Sequence, residues 1–352
     1  MAGERMNGDH PGLSLFTGEI RMLIDGELVE AASGLRFSNV NPATEAVLGE
    51  VADAGTEDMS RAIGAARRAF DDGDWASNRR LRQHCLRQLQ EAFEAEREEF
   101  RDELVAEAGI PVRLTYGYQL DLPLRDCFEW PARMIDEFSW ERRLPDSHSS
   151  LGSGPGAGPS SRRLVWKEPM GVVGSIIPGN APVEITVNKL AQVLATGNTT
   201  VIKPAPDTPW NATRLGRMIA ERTDIPPGVV GIVTSSDHQV GEYLTLDPRV
   251  DAISFTGSTA TGQRIMVNGA ATFKRLFLEL GGKSAMVVLD DADDLHSVLA
   301  NAATICSHSG QGCGLQTRIL VPLSRYTEAV DILEEVFSNI PYGDPADAAI
   351  IH

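Results

Sequence analysis

Apolar positions recur every three or four residues from Thr56 to about Ala108: Met59, Ile63 and Ala66, then Leu81, Cys85, Leu86 and Leu89. That spacing predicts helices with one buried face. The charges Glu91, Glu94, Arg97, Glu98 and Arg101 read as the solvated side. Ahead of this region, Met22-Leu23-Ile24-Asp25-Gly26-Glu27-Leu28-Val29 reads as a hairpin turning at Asp25-Gly26, and Asn41-Pro42-Ala43-Thr44 as a second turn. A further helical stretch runs from Leu122 to Phe138, with a bend or break expected at Pro131. Residues 1–20 read as a flexible tail. The Gly/Pro/Ser run 151–160 reads as a linker or mobile loop, because its composition cannot bury a core.

From Val165 the rhythm changes to short apolar runs alternating with amphipathic segments. Strands are expected at Gly171–Ile177, Thr199–Lys203, Val229–Val233, Ala252–Phe255 and Arg275–Leu278. Helices are expected at Val183–Thr196, Thr208–Arg222, Gln239–Leu246 and Thr259–Asn268. Such alternation implies parallel pairing through helical crossovers, hence a doubly wound, Rossmann-like α/β sheet. Ligands bind such sheets at the carboxyl ends of the strands. The strand ends to inspect are Pro178–Asn180, Lys203–Pro206, Thr256–Ser258 and Glu279–Gly282.

The chain has 352 residues, enough for roughly two domains. With 42% hydrophobic and 23% charged residues it has apolar material for a large core. A formal net charge of −17 disfavours nucleic acid, whose phosphates call for clustered Lys and Arg. No run approaches the ~18 apolar residues of a membrane helix, and the first fifteen residues do not form a signal peptide. Cys85, Cys127, Cys306 and Cys313 match neither a zinc spacing nor a disulfide scaffold, so no metal is expected and a reducing cytoplasm is.

The candidate chemistry centres on Ser309-Gly310-Gln311-Gly312-Cys313-Gly314. Glycines let backbone N–H groups approach a bound group, so a thiol here could be a nucleophile with a main-chain oxyanion site. A packed structural thiol is the equal alternative. Gly257-Ser258-Thr259 follows a strand and opens a helix, either an anion site for a pyrophosphate or only a tight turn. Lys203 ends an apolar strand and could reach ribose hydroxyls, or lie on the surface. Asn180, in Pro178-Gly179-Asn180-Ala181-Pro182, offers an amide to a substrate oxygen or merely forms the turn. Glu279 sits between Leu278 and Leu280. Burial there would raise its pKa toward the range of a general base, whereas a salt bridge to Lys274 or Lys283 would leave it structural.

Together, Pro178-Gly179-Asn180, Val201-Ile202-Lys203-Pro204, Phe255-Thr256-Gly257-Ser258-Thr259, Leu278-Glu279-Leu280-Gly281-Gly282-Lys283 and Gly310-Gln311-Gly312-Cys313 resemble the NAD(P)-dependent aldehyde dehydrogenase superfamily. The resemblance runs from about Met22 to the end of the chain. It implies oxidation of an aldehyde to a carboxylic acid. Cys313 is then the nucleophile, Asn180 and the Cys313 N–H the oxyanion donors, Glu279 the base for hydrolysis and Lys189 a lysine near the site. It also implies a cofactor site of Ile177, Pro178, Lys203, Pro206, Gly257, Ser258, Leu280 and Gly281. The cofactor expected is NAD, with NADP left open, because Pro206 stands where many NAD-preferring members have a glutamate and Asp207 follows it. Gly179 and Ala181 replace bulky neighbours, which suggests a wide pocket.

The same resemblance divides the chain into a cofactor domain over 21–280 and the start of a catalytic domain over 281–352. Family members continue well beyond the position of His352, so the catalytic domain is expected to be incomplete, the isolated chain weakly active, and the family's homo-oligomer doubtful. Two other functions stay open: a catalytically impaired nucleotide-binding or assembly protein, and a thiol esterase needing no cofactor.

Overall fold

A computed structural model describes residues 18–145, 147–148 and 160–350. The expected tail, up to residue 17, and the expected loop over 151–159 lie outside the described residues.

The chain opens with β1 (Met22–Ile24) and β2 (Glu27–Val29), paired antiparallel. Asp25 and Gly26 both take positive φ, 55° and 81°, as a two-residue hairpin turn requires. A second hairpin joins β3 (Arg36–Val40) to β4 (Val47–Ala52). Six helices follow: α1 (Thr56–Asp71), α2 (Arg79–Ala95), α3 (Arg97–Ala108), α4 (Val112–Thr115), α5 (Asp121–Asp126) and α6 (Glu129–Glu137). The break in this region falls at Cys127–Phe128, not at Pro131. Pro131 instead occupies the first turn of α6, where a missing N–H goes unnoticed. Arg101 is also not on a solvated face. It is buried, pairs with Asp121 at 2.9 Å and stacks over the Tyr116 ring.

Short antiparallel ladders pair β5 (Glu141–Arg143) with β8 (Leu164–Trp166), and β6 (Ser147–His148) with β7 (Ser160–Ser161). The alternating half then runs β9 (Val172–Ile176), α7 (Pro182–Ala195), β10 (Thr199–Lys203), α8 (Trp210–Arg222), β11 (Val230–Ile232), α9 (His238–Leu246), β12 (Ala252–Gly257), α10 (Thr259–Ala270) and β13 (Arg275–Leu280). The main sheet has the order β13-β12-β9-β10-β11-β1-β2. Its five strands from β13 to β11 are parallel, and the first hairpin adds the antiparallel edge. The doubly wound α/β reading is therefore correct. One apolar layer, around Leu190, Leu215 and Phe93, lies between this sheet and α2, α7 and α8. The other, around Met59, Ile63, Leu244 and Ile253, lies under α1 and α9.

Beyond Gly281, β14 (Ala285–Val287) and β15 (Arg318–Leu320) form a separate parallel pair. They share a small cluster of Val288, Leu295, Leu299 and Ala329 with α11 (Leu295–Ala300) and α12 (Tyr326–Ser338). Among the described residues no helix is long and apolar enough to cross a membrane.

Candidate active site

Two of the inspected strand ends converge on the cysteine loop. The turn after β9 carries Asn180, β13 carries Glu279, and the loop before β15 carries Cys313. All three line one cavity of about 500 Å³. The Asn180 amide donates to the Gln311 carbonyl at 2.8 Å, which ties the first turn to the cysteine loop. A Cβ built at Gly282 would lie 3.6 Å from the Cys313 carbonyl oxygen, so the segment after β13 touches that loop too. Cys313 is exposed, which answers the packed-thiol alternative.

The loop gains its shape from backbone that L-residues rarely adopt. His308, Ser309 and Gly310 have φ of 50°, 54° and 78° in succession. Non-glycine residues held there store strain of order 1–3 kcal/mol each, a cost usually met at functional segments. The segment before Cys313 is a 3₁₀ stretch, Asn301–Gly310, broken at Ser307.

The burial expected of Glu279 is overturned: its side chain is exposed. β13 is an edge strand with alternating faces. Leu276, Leu278 and Leu280 pack on the core, while Arg275, Phe277 and Glu279 face a groove alongside α7. Neither expected salt-bridge partner holds it. Lys274 is buried and donates to the Asp247 and Val250 carbonyls. The cation that acts on Glu279 is Lys189 of α7, whose ammonium donates to Ser254 Oγ at 2.8 Å and lies over the Phe277 ring. Burial pulls the Lys189 pKa down to about 8, against the opposing pull of Glu279 and Glu184.

A second cavity, about 540 Å³, opens at the carboxyl ends of β10 and β12. It is lined by Ile177, Lys203, Pro206, Gly257 and Ser258, while Pro178, Leu280 and Gly281 line the cavity of Cys313, which shares Gly257 with it. Lys203 is buried, not at the surface. Its amine donates to the Pro204 and Ser235 carbonyls, and burial pulls its pKa to about 8. Ser258 caps α10, accepting from the Thr261 N–H at 3.2 Å. Free N–H groups at a helix start suit a pyrophosphate.

Whether these residues fit a dinucleotide can be read from Thr256. Its Oγ1 is buried, makes no hydrogen bond among the described residues, and belongs to a residue lining the Cys313 cavity. An orphaned hydroxyl beside the Cys313 cavity, next to Gly257 where the two cavities meet, is what an absent polar group would satisfy. The fit is good.

Sequence reading missed four residues here. Thr256 lay inside a quoted motif without a role. Gln119 donates to the Asn180 carbonyl at 3.3 Å. His308 is buried facing the backbones of Asn180 and Gly109, and burial pulls its pKa down. Glu184 lines the Cys313 cavity from the first turn of α7. No local pattern marks Gln119 or His308, whose partners lie far away in sequence, and Glu184 reads only as a charge in the first turn of a helix.

Comparison with known proteins bears on the family and the fold. The aldehyde dehydrogenase family profile matches residues 28–351. The chain is 35% identical to the NADP/NAD-dependent aldehyde dehydrogenase PuuC of Escherichia coli K12 over 94% of its length. It is 36% identical to the 3-succinoylsemialdehyde-pyridine dehydrogenase of a Pseudomonas species over 92%. It covers 65% and 64% of those two proteins. The NAD+ complex of an aldehyde dehydrogenase from Bacillus cereus superposes with a TM-score of 0.82 at 32% identity. That match covers 94% of this chain and 65% of the other.

Proposed function

The chain belongs to the aldehyde dehydrogenase family, and from that premise we propose that it carries an NAD(P)-dependent site oxidising an aldehyde to a carboxylic acid through Cys313. The observation that carries the reading is the 2.8 Å hydrogen bond from the Asn180 amide to the Gln311 carbonyl, which sets an oxyanion donor against the nucleophile's loop. An amide has two N–H donors. One is spent on Gln311, and the other remains for substrate.

The Cys313 thiolate adds to the aldehyde carbon, and the carbonyl oxygen becomes an alkoxide. The remaining Asn180 N–H and the Cys313 backbone N–H hold that charge. A nicotinamide dinucleotide, when bound, would supply the hydride acceptor needed for oxidation of this adduct to the thioester level. Glu279 then accepts a proton from water as the water adds to the thioester carbon, the C–S bond breaks, and the acid leaves. Lys189 keeps a cation beside that carboxylate. Lys203 would hold ribose hydroxyls and Ser258 the pyrophosphate, with Ile177, Pro178, Pro206, Gly257, Leu280 and Gly281 as walls. On this reading residues 21–280 are the cofactor unit, and 281–352 begin the catalytic unit.

NAD is the cofactor we favour. Among the described residues lining the second cavity, Arg264 is held by Glu242 at 2.7 Å and so is not free for a 2′-phosphate, while Lys203, with two of its three N–H groups on backbone carbonyls, keeps one for a ribose hydroxyl. Both Cys313 and Glu279 are exposed, and open access of water slows a reaction that relies on a dry site. We therefore expect slow NADH formation from aldehydes by the 352-residue chain, abolished in Cys313→Ala. Undiminished NADH formation by that variant would falsify the mechanism. The same exposure favours a second activity, cofactor-free hydrolysis of a nitrophenyl ester, also lost in Cys313→Ala.

A further inference from the structure

The cavity that holds Asn180 and Cys313 is electrostatically one-sided. Its described lining includes two carboxylates, Glu184 and Glu279, and no lysine or arginine. Glu279 has its part in hydrolysis, but Glu184 has none. Glu184 sits in the first turn of α7, half-buried, and lines both this cavity and the adjoining groove of about 640 Å³. Among the described residues its hydrogen-bond partner is Asn188 one turn on, whose amide donates to Oε1 at 2.8 Å. That bond orients the side chain through Oε1, and among the described residues Oε2 takes no hydrogen bond.

A carboxylate beside an aldehyde-binding nucleophile has a chemical consequence. It repels a substrate with an anionic tail and attracts one with a cationic tail. Lys189 offsets part of this charge without cancelling it, since one ammonium faces two carboxylates. Lys189 is turned toward Ser254 and lies over Phe277. Arg275 lines the groove, which Cys313 also borders, but from the other end of β13 from Glu279, four residues and about 13 Å away along the strand. Burial raises the Glu184 pKa, and Asn188 and Lys189 pull it back. A cationic ligand would pull the same way.

We propose that Glu184 selects the substrate: the site takes aldehydes whose far end carries an ammonium group, and discriminates against aldehydes that end in a carboxylate. This rests on the aldehyde-oxidising reading above and names its substrate class.

Three aldehydes of similar length test it with the full chain: 4-(trimethylammonio)butanal, its uncharged isostere 5,5-dimethylhexanal, and 5-oxopentanoate. Two readouts separate this proposal from the activity it rests on. The first is kcat/KM for NADH formation. The second is protection of Cys313 from iodoacetamide without cofactor, which needs only reversible addition of the thiol to the aldehyde. The cationic aldehyde should exceed its isostere by about tenfold in both, with the anionic one weakest. Glu184→Gln, which preserves shape and the acceptor for Asn188, should bring the three toward equality. If no aldehyde yields NADH but the cationic one protects best and Glu184→Gln removes the preference, the selectivity stands and the activity fails. Equal protection by all three, no protection by any, or a preference unchanged in Glu184→Gln overturns the proposal.

Discussion

Lys203 sets cofactor binding against stability at a single residue. Its amine is buried and its pKa in the folded chain is about 8, against ~10.4 for a free lysine. The unfolded chain therefore holds the proton more tightly, and below pH 8 the folded state carries a penalty for burying charge. Stability contributed by this group rises as pH climbs from about 8 toward ~10. Lys203→Met should accordingly stabilise the ligand-free chain near neutrality by about 2–3 kcal/mol and flatten that rise. It should also weaken dinucleotide binding. Urea midpoints on either side of the window, with NAD titration by intrinsic fluorescence, check both. A variant less stable than wild type at neutrality contradicts the argument. A related expectation concerns Arg264. Freed by Glu242→Gln from its paired carboxylate, it should raise affinity for NADP relative to NAD severalfold, read as the ratio of KM values. The motif residues of both sites were legible because their chemistry is encoded locally, in glycines beside a thiol or a lysine closing a strand. The exposure of Glu279 was not, because leucines on both sides do not say whether a strand lies at the edge of its sheet.

At the scale of elements, periodicity located the strands and helices of the alternating half to within about two residues, since one buried face imposes the spacing. It failed where polar groups are buried. α3 presents Glu103 and Glu107 one turn apart, both inaccessible. Glu107 accepts from the Trp210 and Asn211 N–H groups at 3.0 Å each, and from the Asn39 amide at 2.8 Å. It caps α8 from a helix about a hundred residues earlier. Glu103 pairs with Arg214, which with Arg217 and Arg222 also holds Glu96. In a helical pattern such glutamates look like solvated charges, and only the tertiary partner distinguishes them. Removing the cap in Glu107→Ala strands several buried donors. It should cost about 3 kcal/mol in urea unfolding, against ~0.5 or less for the surface change Glu91→Ala. Equal effects from the two would show that the cap does not stabilise α8.

The chain carries 49 acidic and 32 basic residues, and an excess of that size surrounds the molecule with a negative potential that reaches solutes before they enter the site. Composition alone pointed only to solubility and to the absence of phosphate-backbone partners. The placement of Glu184 and Glu279 in the cavity of Cys313 gives the same charge a direction, because the local and global fields then favour one sign of substrate. The local contribution acts over a few ångströms in a partly sheltered cavity and resists screening. The global contribution acts through solvent and decays over a Debye length of about 10 Å at 0.1 M salt and about 3 Å at 1 M. The two are therefore separable by salt. Across that range the advantage of 4-(trimethylammonio)butanal over 5,5-dimethylhexanal, measured as protection of Cys313 from alkylation, should fall as the outer field is screened. It should settle at a residual preference that Glu184→Gln removes. The neutral aldehyde should protect almost equally at every salt concentration. A preference that vanishes at high salt would assign the selectivity to net charge alone, and one that does not change with salt would assign it to the cavity alone.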